Sequence, residues 1–209
     1  MRSCRRVQWR PADEWEGGFG WIAVERLQRA SHALLLDGRV WLIDPVDCDG
    51  VEERVRALGA PGGVLQLLDR HNRDGAAWAE RLGVPLVRAW EESPFETLRV
   101  RGSRFWREVA LWDASSRTLV CADALGTLAY FRAPGERIGW HPLVRPLPPR
   151  SFAAVQPARI LVGHGAGVHE GAADALADVV RNGQRRTPSA WVNAARAVWA
   201  ASRSPARGR

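Results

Sequence analysis

The chain has 209 residues, 46% hydrophobic and 25% charged, which suits one sizeable core and is too apolar for a disordered chain. No apolar run approaches the roughly 18 residues that cross a bilayer, and Trp15, Glu16 and Gly17 stand where a secretory signal would keep its apolar centre, so a cytoplasmic protein is expected. All thirty basic residues are Arg and most are dispersed, so the net charge of +7 argues weakly for nucleic acid, and a small-molecule ligand is the expected partner.

Residues 1–18 carry Trp9 and Trp15 without a clear period and read as an irregular leader. Gly20–Leu27 reads as a strand. Two apolar runs follow, Ala33–Leu36 and Val40–Ile43, around Asp37-Gly38, a pair suited to a tight hairpin turn because both central residues need positive φ. A helix follows, with Asp49 as its cap, Glu52 at capping-box spacing, Val51, Val55 and Leu58 on one face and Gly59 at its end. Gly63–Leu68 is a short buried strand. The polar turn Asp69–Gly75 leads into a helix over Ala76–Leu82 that stops at Gly83, and Val84–Val87 is a further strand.

Thr97–Val100, Trp106–Leu111 and Thr118–Cys121 read as antiparallel strands, and residues 132–150 as an irregular proline-rich stretch. Arg159–Val162 is the last strand. A helix over Ala172–Val180 ends at Asn182-Gly183, and the final helix starts at Thr187-Pro188, a cap followed by proline in its favoured place. That helix carries Trp191, Ala195, Val198 and Trp199 on one stripe, which covers the core or meets a second subunit of a homodimer. Cys4, Cys48 and Cys121 lack metal-site spacing and read as reduced packing thiols. The mixture of hairpins and strand-turn-helix units predicts an α/β (α+β) sandwich.

Three polar clusters each follow an apolar strand directly: Asp69 to Asp74, Asp123, and His164 between two glycines. Ligand sites collect at the carboxyl ends of strands, and two imidazoles with two or three carboxylates there suit zinc, manganese or iron. Asp74 is equally suited to cap the following helix, and Asp44 before Pro45 to fix a turn near the site. His141 and Arg145, in the proline-rich stretch, suit proton transfer and anion binding, or an ordered surface loop.

These features resemble, in their order, the metallo-β-lactamase superfamily: Leu42-Ile43-Asp44-Pro45, a His-bearing turn before a helix, Asp123 after a late strand, and Gly163-His164-Gly165 after the last one. The resemblance spans roughly residues 20–182. It implies a four-layer αββα sandwich over residues 19–183, followed by a C-terminal helix and tail over 184–209, and a metal-dependent hydrolase acting on an ester, thioester, lactone or phosphoester. The family's H-x-H-x-D-H motif falls on Asp69, His71, Arg73 and Asp74, so only His71 is kept there, and an arginine replaces the aspartate that helps activate water. A further family histidine has no counterpart among Arg99, Arg101, Arg104 and Arg107, although those arginines offer the basic face that a nucleic-acid-processing relative would use. The resemblance leaves His71, Asp123 and His164, with Asp69 or Asp74 as a fourth, as ligands of one divalent metal, with His141 or Asp74 as the proton carrier and Arg73 or Arg145 on the substrate. The alternative is a non-catalytic binding protein in which Arg73 pairs with a carboxylate, at Asp123 or Asp69, and no metal is bound.

Overall fold

The computed structural model describes residues 7–103 and 105–203. Cys4, Arg104, Arg207 and Arg209 lie outside them. Twelve strands and four α-helices follow in chain order among these residues. The first four strands are β1 (Trp9–Trp15), β2 (Gly18–Ala23), β3 (Ala30–Leu36) and β4 (Arg39–Ile43). Then come α1 (Val51–Leu58), β5 (Ala60–Gln66), α2 (Gly75–Leu82) and β6 (Leu86–Arg88). The antiparallel middle consists of β7 (Glu96–Ser103), β8 (Trp106–Asp113) and β9 (Thr118–Cys121), followed by the short pair β10 (Leu125–Gly126) and β11 (Gly139–Trp140). The chain closes with β12 (Arg159–Val162), α3 (Ala172–Asn182) and α4 (Thr187–Arg203).

One large sheet has the order β1-β2-β3-β4-β5-β6 and the second β12-β9-β8-β7, while β10 and β11 pair as a separate two-stranded sheet. The Asp37-Gly38 turn forms as expected, with φ of 49° and 72°, and sets the antiparallel register of β3 on β4. β4, β5 and β6 run parallel, as do β9 and β12. One apolar cluster fills the space between the sheets, with Leu34, Ile43 and Leu65 from one side and Ala110, Leu119 and Ile160 from the other. It continues to Leu176 and Val179 of α3. A second cluster packs Val51, Val55 and Trp78 of α1 and α2 on the outer face of the six-stranded sheet, through Trp21, Leu42 and Val64. The layers are therefore helix, sheet, sheet, helix, the four-layer sandwich implied by the resemblance.

Two expectations are corrected, and of two alternatives left open for α4 one is removed. The stretch before residue 19 is not irregular throughout: Trp9–Trp15 pairs antiparallel with β2 as an edge strand. The N-cap position of α1 is Gly50, left-handed at φ 76°, and Glu52 pairs with Arg56 and Arg81 instead of closing a capping box. On α4 the buried residues are Ala190 and Ala194, while Trp191, Val198 and Trp199 are more than half exposed, so the bulky stripe does not cover the core. Arg145 and Glu136, both fully buried, form an ion pair at 2.6 Å beneath the proline-rich stretch. Arg145 also donates to the carbonyls of Phe131 and Gly183. This ties the chain before α4 to the loop after β10. The described helices include none long and apolar enough to cross a membrane.

Candidate metal centre

Strand direction decides what meets. The parallel pair β4 and β5 ends at Asp44 and, after Leu67-Leu68, at His71; the parallel pair β9 and β12 ends at Asp123 and His164. All four carboxyl ends lie on one edge of the sandwich. There the sheets are joined by isolated bridges, Leu68 to Glu108 and Arg29 to His164.

His71 Nε2 and His164 Nε2 each lie 3.1 Å from Asp123 Oδ1. One ligand atom from each of the three residues falls within 4.8 Å of the others. The far nitrogen of each ring is held: His71 Nδ1 is 2.8 Å from Asp44 Oδ2, and His164 Nδ1 is 2.7 Å from the Leu27 carbonyl. Both acceptors require the proton on Nδ1, so each neutral ring turns the lone pair of Nε2 toward Asp123. Asp123 Oδ1 is buried, and the imidazoles stand off the directions of a well-formed hydrogen bond to it. Two lone pairs and a carboxylate oxygen converging this way need a cation or a proton between them.

The set fits a metal. Bonds of about 2.0–2.2 Å at tetrahedral angles leave ligand atoms about 3.3–3.6 Å apart, near the 3.1 Å of each imidazole Nε2 from Asp123 Oδ1. Two His and one carboxylate match the three-ligand type that keeps a position open for substrate, and a carboxylate and a carbonyl behind the rings are the usual outer support of metal-binding His.

Charge agrees with this geometry. Burial and the nearby Arg73 charge oppose protonation of His71, but Asp44 and Asp123 on its two nitrogens outweigh them and raise its pKa to about 9. Burial also works against the Asp123 carboxylate, yet the two imidazoles hold its pKa far below the usual range. In the metal-free protein, then, a proton on His71 takes up the charge that a metal would otherwise balance.

Arg73 does not form the expected carboxylate pair, and among the described residues it has no ion pair. Its guanidinium donates to three main-chain carbonyls: Ala30 at the start of β3, Asp44 at 2.9 Å and Gly163 at 3.1 Å. Burial lowers its pKa, opposed by Asp44 and Asp123, but a guanidinium stays charged. It clamps the ends of three strands behind the cluster, in place of the carboxylate that the resemblance leads one to expect there. Asp44 and Arg73 both have positive φ, 43° and 23°, a strain that the hydrogen bonds at both residues hold in place.

The remaining candidates are dispersed. Asp69 lies outside the three-residue cluster: its Oδ2 accepts from the Arg107 N–H, because the chain there bridges to the start of β8. Asp74 stands at the N-cap of α2 and accepts from the Asp47 N–H at 2.7 Å, which ties the loop after β4 to the helix and leaves it outside the cluster. Arg145, expected to bind an anion, is instead consumed by Glu136 in the interior. His141 lines the same cavity as Asp123 and His164. Its Nδ1 accepts from the Leu143 N–H at 3.2 Å, so its proton sits on Nε2, 3.5 Å from the Tyr130 hydroxyl. Burial pushes its pKa down to about 4.

Glu108 was not singled out in the sequence. It is fully buried behind Asp123 and accepts from the main-chain N–H groups of Asp123 and Ala124, at 3.0 and 2.9 Å, and from Trp106 Nε1 at 2.7 Å. Burial, with the Asp123 charge, raises its pKa to about 7. The signal was present: Trp106, Glu108 and Ala110 share the inward face of one strand, and an acid there needs a purpose.

No family model matches the chain, and no curated protein matches it. Solved structures do. The DIM-1 metallo-β-lactamase exposed to ceftazidime aligns over 85% of this chain and 99% of its own, with 13% identity and a TM-score of 0.55. The metallo-β-lactamase from Pontibacter korlensis aligns over 84% and 100%, with 12% identity and a TM-score of 0.55. TMB-1 aligns over 86% and 99%, with 12% identity and a TM-score of 0.52. With its four layers, its two sheets and the site at their common edge, the chain has the metallo-β-lactamase fold.

Proposed function

We propose that the protein is a hydrolase that uses one divalent metal ion, held by His71, Asp123 and His164, to cleave an ester, thioester, lactone or phosphoester. The observation that carries this reading is the convergence of two imidazole Nε2 atoms on the buried, poorly satisfied Asp123 Oδ1 at the wall of a cavity. His71, Asp123 and His164 would hold the ion, whose chemistry there would be Lewis acidity toward a carbonyl or a water. Zinc, manganese and iron all suit the donor set.

The chain's own residues do the rest. Asp44 and the Leu27 carbonyl fix the tautomer and direction of the two imidazoles. Glu108 fixes the main chain at Asp123 and Ala124. Arg73 holds the strand ends together and adds positive charge behind the cluster, which opposes a second metal ion. His141 stays neutral near pH 7 and presents Nε2–H into the cavity beside Tyr130, as a hydrogen-bond donor to an oxygen of the substrate or leaving group.

A second reading has an observation of its own. With His71 protonated between Asp44 and Asp123 and the Arg73 guanidinium behind them, the charges balance without a metal, which suits a non-catalytic binding protein. Metal analysis of protein purified without chelators, followed by hydrolysis assays on esters, thioesters, lactones and phosphoesters, separates the two. One equivalent of metal with turnover that a chelator abolishes is the expected result. Protein that takes up no stoichiometric zinc, manganese or iron leaves the binding-protein reading standing.

A further inference from the structure

The cavity beside the cluster measures about 760 Å³, within the range of small-molecule sites. Leu27, Leu128 and Phe131 wall one part of it, and Ala197, Val198 and Ala201 of α4 wall another. Beyond the site's own Asp123, His164 and His141, the lining contains one ionic group, the guanidinium of Arg26. Arg26 has no ion pair among the described residues; it makes a single 3.5 Å hydrogen bond to the Val198 carbonyl. Glu25, its neighbour, is committed to Arg29.

We infer that the cavity selects an aliphatic acyl compound, with the chain lying along Leu27, Leu128 and the α4 alanines and one anionic group of the same molecule paired with Arg26. Two physical arguments support this. A polyhydroxylated or multiply charged substrate would leave polar groups unpaired against these walls, at a cost a hydrocarbon chain avoids. A phosphoester would need several cationic donors, and the lining offers one. The inference rests on the hydrolase reading for its chemistry and narrows that reading to acyl substrates, without phosphoesters.

The test uses the metal-free protein and a series of n-alkyl carboxylates from four to ten carbons, with n-alkyl trimethylammonium ions as oppositely charged controls of equal length. Carboxylate affinity is expected to rise about threefold to fourfold per methylene until the cavity is filled. The ammonium series is expected to bind more weakly at every length. Arg26→Gln should weaken all carboxylates by a similar factor and leave the chain-length slope unchanged. Ala197→Trp should cost the longest carboxylate most and the shortest least. A flat chain-length series, or inorganic phosphate competing as well as decanoate, overturns the inference. Binding that follows the chain while no metal is taken up keeps this inference as a ligand specificity and sinks only the hydrolase. Metal-dependent turnover without chain-length dependence does the reverse.

Discussion

Arg73 Nη1 lies 2.9 Å from the main-chain oxygen of Asp44, and the same guanidinium reaches the Gly163 carbonyl at 3.1 Å. One side chain thus joins the carboxyl end of β4 to that of β12, across the seam between the sheets. Removing it leaves three carbonyls without their charged donor. Arg73→Ala is expected to destabilise the protein by about 3 kcal/mol, read from chemical denaturation. Arg73→Lys should recover only part, because an ammonium lacks the planar fork that spans three acceptors. A fully stable alanine variant would show that the clamp is dispensable.

Metal stoichiometry tests the cluster residue by residue. Asp123→Ala and His164→Ala should each abolish tight metal uptake, measured by titration with a chromophoric chelator. Asp44→Asn, which touches no metal, should weaken it about 10–100-fold by loosening the His71 ring. Asp69→Asn and Asp74→Asn should leave it near wild type, since both side chains hold main-chain N–H groups elsewhere.

The pH dependence of the metal-free protein follows from His71. Its folded pKa of about 9 lies above its unfolded value near 6.5, so the stabilisation is complete below pH 6.5 and is lost as pH rises through 9. Melts at pH 7 and pH 9 should show the protein weakening in that interval. With metal bound, His71 has already given up its proton, and the loss should disappear. His141 acts in the opposite direction: its pKa of about 4 makes stability fall as pH drops from 6.5 to 4. A His71→Gln variant that retained the alkaline loss would assign it to another group.

Glu108→Gln probes the support beneath Asp123. The amide oxygen can keep the two main-chain donors, but its NH2 then faces the indole N–H of Trp106, so one hydrogen bond is lost and two donors oppose each other. A cost of about 2 kcal/mol is expected, together with weaker metal binding, because the Asp123 main chain is no longer pinned. Unchanged metal affinity would reduce Glu108 to a packing residue.

Arg145→Ala should break a buried ion pair and cost about 3–5 kcal/mol while leaving metal affinity in the folded fraction unchanged. A variant of undiminished stability that loses binding of anionic ligands would restore the role its sequence position suggested.

What the sequence made legible was the order of strands and the polar residue at the end of each. Asp123 and His164 each directly follow an apolar run, so both stand out in the sequence as strand-end residues; the parallel pairing of β9 and β12 that brings them together belongs to the fold. Burial and partners were not legible. Arg145 looks like any arginine in a proline-rich loop, and only the fold shows Glu136 inside with it. An arginine among acidic residues suits a carboxylate partner, yet the strand ends offer Arg73 three carbonyls, which no spacing in the sequence encodes. The period of α4 shows that a bulky face exists without saying which face turns inward, and the residues that are buried are the small Ala190 and Ala194.

The loop between β2 and β3 has two duties at once. It supplies Arg26, Leu27 and Gln28 to the rim of the cavity, and the carbonyl of Leu27 holds the imidazole of His164. A guest that displaces this rim must also let go of that ring, and a guest that settles the rim steadies it. For an ion bound as proposed, occupancy of the cavity and grip on that ion would be reciprocal quantities, each able to report the other through a shared stretch of backbone.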